Sequence, residues 1–148
     1  MWKSSAVFFV LSSLLLEPVA GIIVNPCSVA DVFVNKLGVT KQNAAKWVCL
    51  AKFASGFNTN ALGNTDKNGN DYFGLFQIND NYCKKGTKKS CGVSCTELVS
   101  DNILPSATCA LNIYNKEGGF SNWPAWKNNC QNLDPNRFIN NCNIPSKG

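Results

Sequence analysis

The stretch from Trp47 to Thr59 reads WVCLAKFASGFNT. Its apolar residues recur at the spacing of one face of an α-helix, and the same face extends back to Ala44. Because Gly56 is a typical helix-ending residue, we predict a helix from Asn43 to Ala54. On pattern alone, Ala54 is simply a good helix former at a helix end.

Helices are also predicted on both sides of this stretch. The segment 28–38, SVADVFVNKLG, has apolar residues at helical spacing, with Ser28 as its N-cap. A later helix is predicted from about Ile103 or Pro105 to Asn115. The pair W-x2-W near the carboxyl end indicates one more short helical piece.

The segment between these helices has a different composition. DYFGLFQIN, residues 71–79, is aromatic and β-prone, and Asn68-Gly69 before it is a typical hairpin turn. We predict a small antiparallel hairpin with its turn there. The fold class is therefore α+β, mostly helical with one small antiparallel sheet.

The amino-terminal residues 1–21 have the pattern of a secretory signal peptide. Lys3 precedes an apolar run from Ala6 to Leu16, and Gly21 is a small residue suited to cleavage. The run is shorter than the roughly 20 residues that a membrane-spanning helix needs. We expect no transmembrane segment and a secreted, extracellular chain of residues 22–148 that forms one domain.

All eight cysteines lie after the predicted signal peptide. An even number in a secreted chain predicts four disulfides, although spacing alone leaves the pairing open. A zinc site is disfavoured because the chain has no histidine.

The chain is basic, with a formal net charge of +5. Lysines cluster in the segment KKGTKK, as Lys84, Lys85, Lys88 and Lys89. This cluster could attract an anionic surface such as a bacterial wall, or it could be a solvated loop that aids solubility. No nucleic-acid-binding motif accompanies the charge, so we expect no nucleic-acid partner.

Several motifs together resemble the C-type lysozyme family, which includes the α-lactalbumins. They are WVCLAKF followed by FNT, then NTD, NG and FGLFQIN, the cysteine pattern C-x3-C-x13-C, and W-x2-W. The resemblance spans Cys27 to Cys142. It implies a helical lobe and a β-lobe with a sugar-binding cleft between them, and we expect a monomer.

The resemblance also implies the disulfide pairing that spacing left open. The pairs it implies are Cys27 with Cys142, Cys49 with Cys130, Cys83 with Cys95, and Cys91 with Cys109.

Two positions that carry catalysis in lysozymes are altered here. The resemblance places the family's general acid at Ala54, which has no proton to donate. Counting back from Gly74, it places the nucleophile at Tyr72. The alternative inserts Phe73 as a bulge and keeps Asp71 in the cleft as a fallback carboxylate. The other nearby carboxylates match loop or turn positions, namely Asp66, Asp80 and Glu117.

Residues suited to holding a sugar remain. Gln77 and Asn79 match the family's cleft strand, Trp123 matches the cleft tryptophan, and Tyr82 lies near the family's rim aromatics. Trp123 could equally be a core residue, and Trp126 more so.

The resemblance also raises the calcium loop of α-lactalbumins. Between Cys95 and Cys109 the chain has only Glu97 and Asp101 as carboxylates, which is too few for a calcium ion. We expect no metal and no cofactor.

Three functions remain open. The leading one is a lysozyme-like protein with lost or strongly reduced muramidase activity that still binds glycan or bacterial cell wall. The second is an active lysozyme that hydrolyses peptidoglycan through Asp71. The third is a cationic protein that binds a host partner or anionic surface through the KKGTKK segment.

Overall fold

The structure is a computed structural model that describes residues 21–145. The predicted signal peptide therefore lies almost entirely outside the described residues. Within residues 21–145, no helix is both long and apolar enough to cross a membrane.

Within the described part of the chain, three α-helices make up the larger lobe. Helix α1 spans Pro26–Asp31 and continues as a π-helical turn, Val32–Lys36. Helix α2 spans Lys41–Ser55, and helix α3 spans Leu104–Lys116. Gly56 ends α2 in the left-handed conformation with φ of 62°, as the sequence predicts.

The predicted start of the first helix is wrong. Its N-cap is Asn25 and not Ser28, because the Asn25 side chain accepts the N–H of Cys27 and Pro26 occupies the first turn. Proline lacks the N–H that has no partner at a helix start, so the asparagine-proline pair favours this boundary.

The sheet is smaller than predicted, and its turn lies elsewhere. Strand β1, Tyr72–Phe73, pairs antiparallel with strand β2, Ile78–Asn79. The turn between them is formed by residues 74–77. Asn68-Gly69 does lie in a tight turn, closed by the hydrogen bond from Gly69 N–H to the Asp66 carbonyl, but this turn precedes β1.

Short helical turns complete the fold. They are the 3-10 turns Asp80–Tyr82, Glu97–Val99, Gly119–Asn122 and Pro135–Phe138, and the π-helical turn Trp126–Cys130. Trp123 lies between two of these turns and not within a helix, which corrects the predicted helical piece.

The core is centred on Trp47 of α2, which is 2% exposed. Its ring stacks on Phe33 at 4.9 Å and meets Phe76 and Trp123 edge to face at 5.8 and 5.6 Å. Because Phe76 belongs to the β-lobe, the aromatic cluster fixes that lobe against the helices.

Four disulfides tie the chain together. They join Cys27 to Cys142, Cys49 to Cys130, Cys83 to Cys95 and Cys91 to Cys109, the same pairs that the resemblance implies. The first two connect helices of the larger lobe to the carboxyl-terminal segment, and the last two hold the segment that leads into α3.

Candidate functional site

A cavity of about 230 Å³ lies between the hairpin and α3, and we call it the cleft cavity. Its walls are mostly amides, aromatic rings and aliphatic groups. The lining residues are Tyr72, Gln77, Ile78, Asn79, Asn81, Tyr82, Lys89, Ile113, Asn122 and Trp123. The cavity thus brings together every residue that the sequence suggests for sugar binding.

The strand register decides which side chain near the hairpin reaches this cavity. Tyr72 lies opposite Asn79, and Phe73 lies opposite Ile78 in the same ladder. Phe73 is therefore a regular paired residue and not a bulge. Tyr72 lines the cleft cavity, and Asp71 is absent from its lining.

The hydroxyl of Tyr72 donates a hydrogen bond to Asp66 Oδ2 at 2.8 Å. This bond and partial burial raise the pKa of Tyr72 above its ordinary value, because the carboxylate favours the protonated phenol. The phenol oxygen is therefore held in its neutral form, which makes it a poor nucleophile.

Asp66 is itself held by the turn that precedes β1. Its Oδ1 accepts the backbone N–H groups of Asn68 and Asn70 at 2.8 and 2.9 Å. The hydrogen bond from Asn70 and the one from Tyr72 lower the pKa of Asp66 to about 2. A carboxyl group so strongly ionised cannot serve as a general acid near neutral pH.

The side-chain amides of Gln77 and Asn79 already form hydrogen bonds within the protein. The Nε2 group of Gln77 donates to the carbonyls of Ala61 and Gly74 at 3.1 and 3.0 Å. Asn79 Oδ1 accepts the N–H of Asn81 at 2.8 Å. The side-chain oxygen of Gln77 remains for a ligand, whereas the Asn79 side chain also forms a hydrogen bond with Tyr72.

Trp123 and Tyr82 differ in how much surface they offer. Trp123 is 5% exposed, and its indole N–H donates to the Phe76 carbonyl at 2.9 Å. It is thus a core residue that also forms part of the cavity wall. Tyr82 is half-buried, and its pKa is raised by burial and by the nearby carboxylate of Glu117.

Ala54 lies in the last turn of α2, partly buried against the core. Its neighbours Phe53 and Ser55 carry no acid, and the hydroxyl of Ser55 donates to the Ala51 carbonyl at 3.1 Å. This helix end therefore carries the methyl group of Ala54 and no carboxyl group, and Ala54 is not among the residues that line the cleft cavity.

The other carboxylates that the sequence suggests near the site, Asp71, Asp80 and Glu117, form contacts within the protein. Asp71 Oδ1 accepts the hydroxyl of Thr65. Asp80, 2% exposed, accepts the Asp71 N–H and pairs with Lys84 at 2.8 Å. Glu117 pairs with Lys89 at 3.7 Å.

Sequence reasoning missed several cavity residues. The sequence pattern does not mark Asn81, Ile78, Ile113 or Asn122, and it marks Lys89 only as part of the charged segment. Asn81 and Asn122 are direct neighbours of Tyr82 and Trp123, so chain proximity was an available signal. Nothing in the sequence marks Asp66 as the partner of Tyr72.

A helical lobe and a small β-lobe, four disulfides, and a cavity of about 230 Å³ between the hairpin and α3 are together typical of a lysozyme-type fold. The sequence profile of the C-type lysozyme/alpha-lactalbumin family matches residues 23–142. The chain belongs to this family.

Its relatives carry lysozyme names. The chain is 44% identical over 110 residues to the lysozyme of Hyalophora cecropia, which covers 72% of this chain and 77% of the relative. It is 38% identical over 141 residues to lysozyme-like protein 4 of Mus musculus, covering 90% and 94%. It is 34% identical over 139 residues to lysozyme C of Macaca mulatta, covering 88% and 93%.

Solved structures agree with this assignment. A lysozyme from Litopenaeus vannamei superposes with a TM-score of 0.70 at 30% identity, covering 82% of this chain and 97% of that one. A lysozyme from Equus asinus superposes with a TM-score of 0.71 at 30% identity, covering 83% and 100%.

Proposed function

We propose that this chain is a secreted, lysozyme-like protein that binds glycan or bacterial cell wall in the cleft cavity and has lost most or all muramidase activity. One observation carries the proposal. Among the described residues, those that line the cleft cavity include no aspartate and no glutamate.

This lining matters because of the chemistry of the reaction. A retaining glycosidase needs two carboxyl groups about 5 to 5.5 Å apart, one to protonate the leaving oxygen and one to attack. General acid catalysis alone contributes about 100- to 10,000-fold. With Ala54 at one family position and a neutral Tyr72 at the other, the cleft has binding groups without this pair.

Binding is supported by what the cavity retains. Aromatic rings of Tyr72 and Tyr82 offer faces for the apolar side of a sugar. The side-chain amide of Asn81 and the side-chain oxygens of Gln77 and Asn122 offer polar groups for its hydroxyls. Such a surface suits a β-1,4-linked chain of N-acetylated sugars, the general type of backbone that peptidoglycan has.

The test compares the purified mature protein with the double variant Ala54→Glu/Tyr72→Asp in a cell-wall turbidity assay. We expect the native protein to be inert, and a gain of lysis in the double variant would show that the scaffold still positions a sugar. Clearing by the native protein would contradict the loss of activity.

Binding is measured separately by calorimetry with a chitin tetrasaccharide. We expect saturable binding that Tyr82→Leu weakens, whereas the exposed control Asn128→Ala leaves it unchanged. A flat titration for the native protein, together with no retention on peptidoglycan, would rule out the binding function.

An active lysozyme is the competing function, and the names of the relatives favour it. In that case Asp71 is the fallback carboxylate. Lysis by the native protein that disappears in Asp71→Asn would support it.

A further inference from the structure

A second cavity, of about 180 Å³, adjoins the cleft cavity. The two share Tyr82, Lys89 and Ile113 in their linings, so one wall separates them. The other residues of this second cavity are Lys88, Ser90, Cys91, Asn112, Lys116 and Glu117. We call it the basic side pocket.

The basic side pocket has an excess of positive charge. Its lysines are Lys88, Lys89 and Lys116, and its only carboxylate among the described residues is Glu117. Lys89 pairs with that carboxylate at 3.7 Å. Within residues 21–145, neither Lys88 nor Lys116 forms an ion pair, so two positive charges stay uncompensated.

These charges come from separate parts of the chain. Lys88 lies in the exposed loop after Cys83, and Lys116 ends helix α3. The fold brings them to one pocket directly beside a cavity that contains no carboxylate. Both lysines are exposed, but the fold places them on one pocket although they are 28 positions apart in the chain.

We propose that the basic side pocket accepts an anionic substituent, a carboxylate or a sulfate ester, on a sugar bound in the cleft cavity. The proposal rests on the proposed glycan binding, because the cleft must hold the saccharide that carries the anion. It names the ligand class more narrowly, as an acidic glycan.

Lysine suits this task. Its ammonium group is a flexible point charge that can follow an oxyanion without demanding the fixed geometry of a guanidinium. Because the lysines are exposed, each contributes modestly, and two together should tighten binding about fivefold at low salt. Salt at about 0.15 M reduces the range of such attraction to about 8 Å, so the preference should weaken as salt rises.

The experiment measures affinity by calorimetry at low and physiological salt for three probes of equal length. They are the neutral chitin tetrasaccharide, the same chain with a sulfate ester, and the same chain with a carboxylate. The test variant is Lys88→Gln/Lys116→Gln, since these lysines line the basic side pocket and not the cleft cavity. The control, Lys36→Gln/Lys85→Gln, removes equal charge from exposed positions outside both linings.

We expect the native protein to bind one or both anionic probes more tightly than the neutral probe. The test variant should lose this preference and keep its affinity for the neutral probe. The control variant should keep the preference. A preference for one anionic probe alone assigns the substituent. Equal affinity of the native protein for all probes, or a preference that survives in the test variant, would overturn the proposed role of the basic side pocket. Either result would leave the proposed glycan binding standing. If no probe binds, the proposed function and this inference both fail.

Discussion

The phenolic hydroxyl of Tyr72 and the carboxylate of Asp66 form a hydrogen bond of 2.8 Å at the edge of the cleft cavity. Each group shifts the other's ionisation. The pKa of Tyr72 rises, and the pKa of Asp66 falls to about 2. The wall of the cleft cavity therefore contains a neutral phenol at Tyr72, paired with an ionised carboxylate at Asp66.

The first prediction concerns Asp66→Asn. Removal of the carboxylate takes away the strongest cause of the raised pKa of Tyr72, so that pKa should fall toward its ordinary value and stay slightly above it because burial remains. The measurement is a titration of the tyrosine Cζ signals by NMR, which separates Tyr72 from the other tyrosines. Asp71→Asn is the matched control and should leave the Tyr72 titration in place.

The second prediction concerns acid stability. The pKa of Asp66 is lower in the folded chain than its ordinary value of 3.8, so the ionised carboxylate stabilises the fold above that value. This contribution is lost as the pH falls from about 3.8 to about 2. Chemical unfolding across this window should show a shallower decline for Asp66→Asn than for the native chain.

An equal slope for both proteins would mean that Asp66 ionises alike in the folded and unfolded chains. That result would also remove the electrostatic argument for a neutral Tyr72.

The third prediction concerns Trp123→Phe. The substitution removes the donor to the buried Phe76 carbonyl, and an unpaired buried acceptor costs about 1 to 3 kcal/mol. The smaller ring also leaves space beside Trp47, which adds to the loss. We expect the free energy of unfolding in guanidinium to fall by about 2 to 4 kcal/mol.

Trp126→Phe is the control for ring size. Trp126 is half-buried and stacks on Phe120 at 4.1 Å, a contact that phenylalanine can keep. Its substitution should cost less than that of Trp123. Equal losses would show that the hydrogen bond from Trp123 contributes nothing beyond packing.

Local rules predicted the central helix well and the hairpin poorly. Gly56 ends α2 through its own backbone conformation, which the residue type signals directly. The hairpin turn depends instead on Gln77, whose φ is 48° and whose side chain reaches back to Ala61. A hydrogen bond across 16 residues leaves no mark in a local pattern, and Asn68-Gly69 gives the stronger turn signal.

The candidate site, too, was predictable from the sequence only in part. Family motifs place Gln77, Asn79 and Trp123 around one cavity, because the scaffold that carries them is shared. The partner of Tyr72 is not predictable in this way. Asp66 belongs to a tight turn whose own N–H groups already satisfy it, and its second oxygen reaches the phenol only once β1 is folded beside it.

The last prediction concerns Gly74, the first residue of the turn between β1 and β2. Its φ is 76°, and a Cβ built there would lie 1.8 Å from the Leu98 carbonyl oxygen. Gly74→Ala should therefore lower the free energy of unfolding by at least about 2 kcal/mol, because the backbone must move in addition to adopting a strained left-handed conformation.

Gly69 is the matched control: it has a φ of 82° with nothing within 4 Å of such a Cβ, so Gly69→Ala isolates the strain alone. Guanidinium unfolding of both variants separates the two costs, and equal losses would show that the Gly74 turn and Leu98 are not in close contact. A larger loss at Gly74, accompanied by weaker glycan binding, would show that this contact holds the hairpin and its Tyr72 against the cleft.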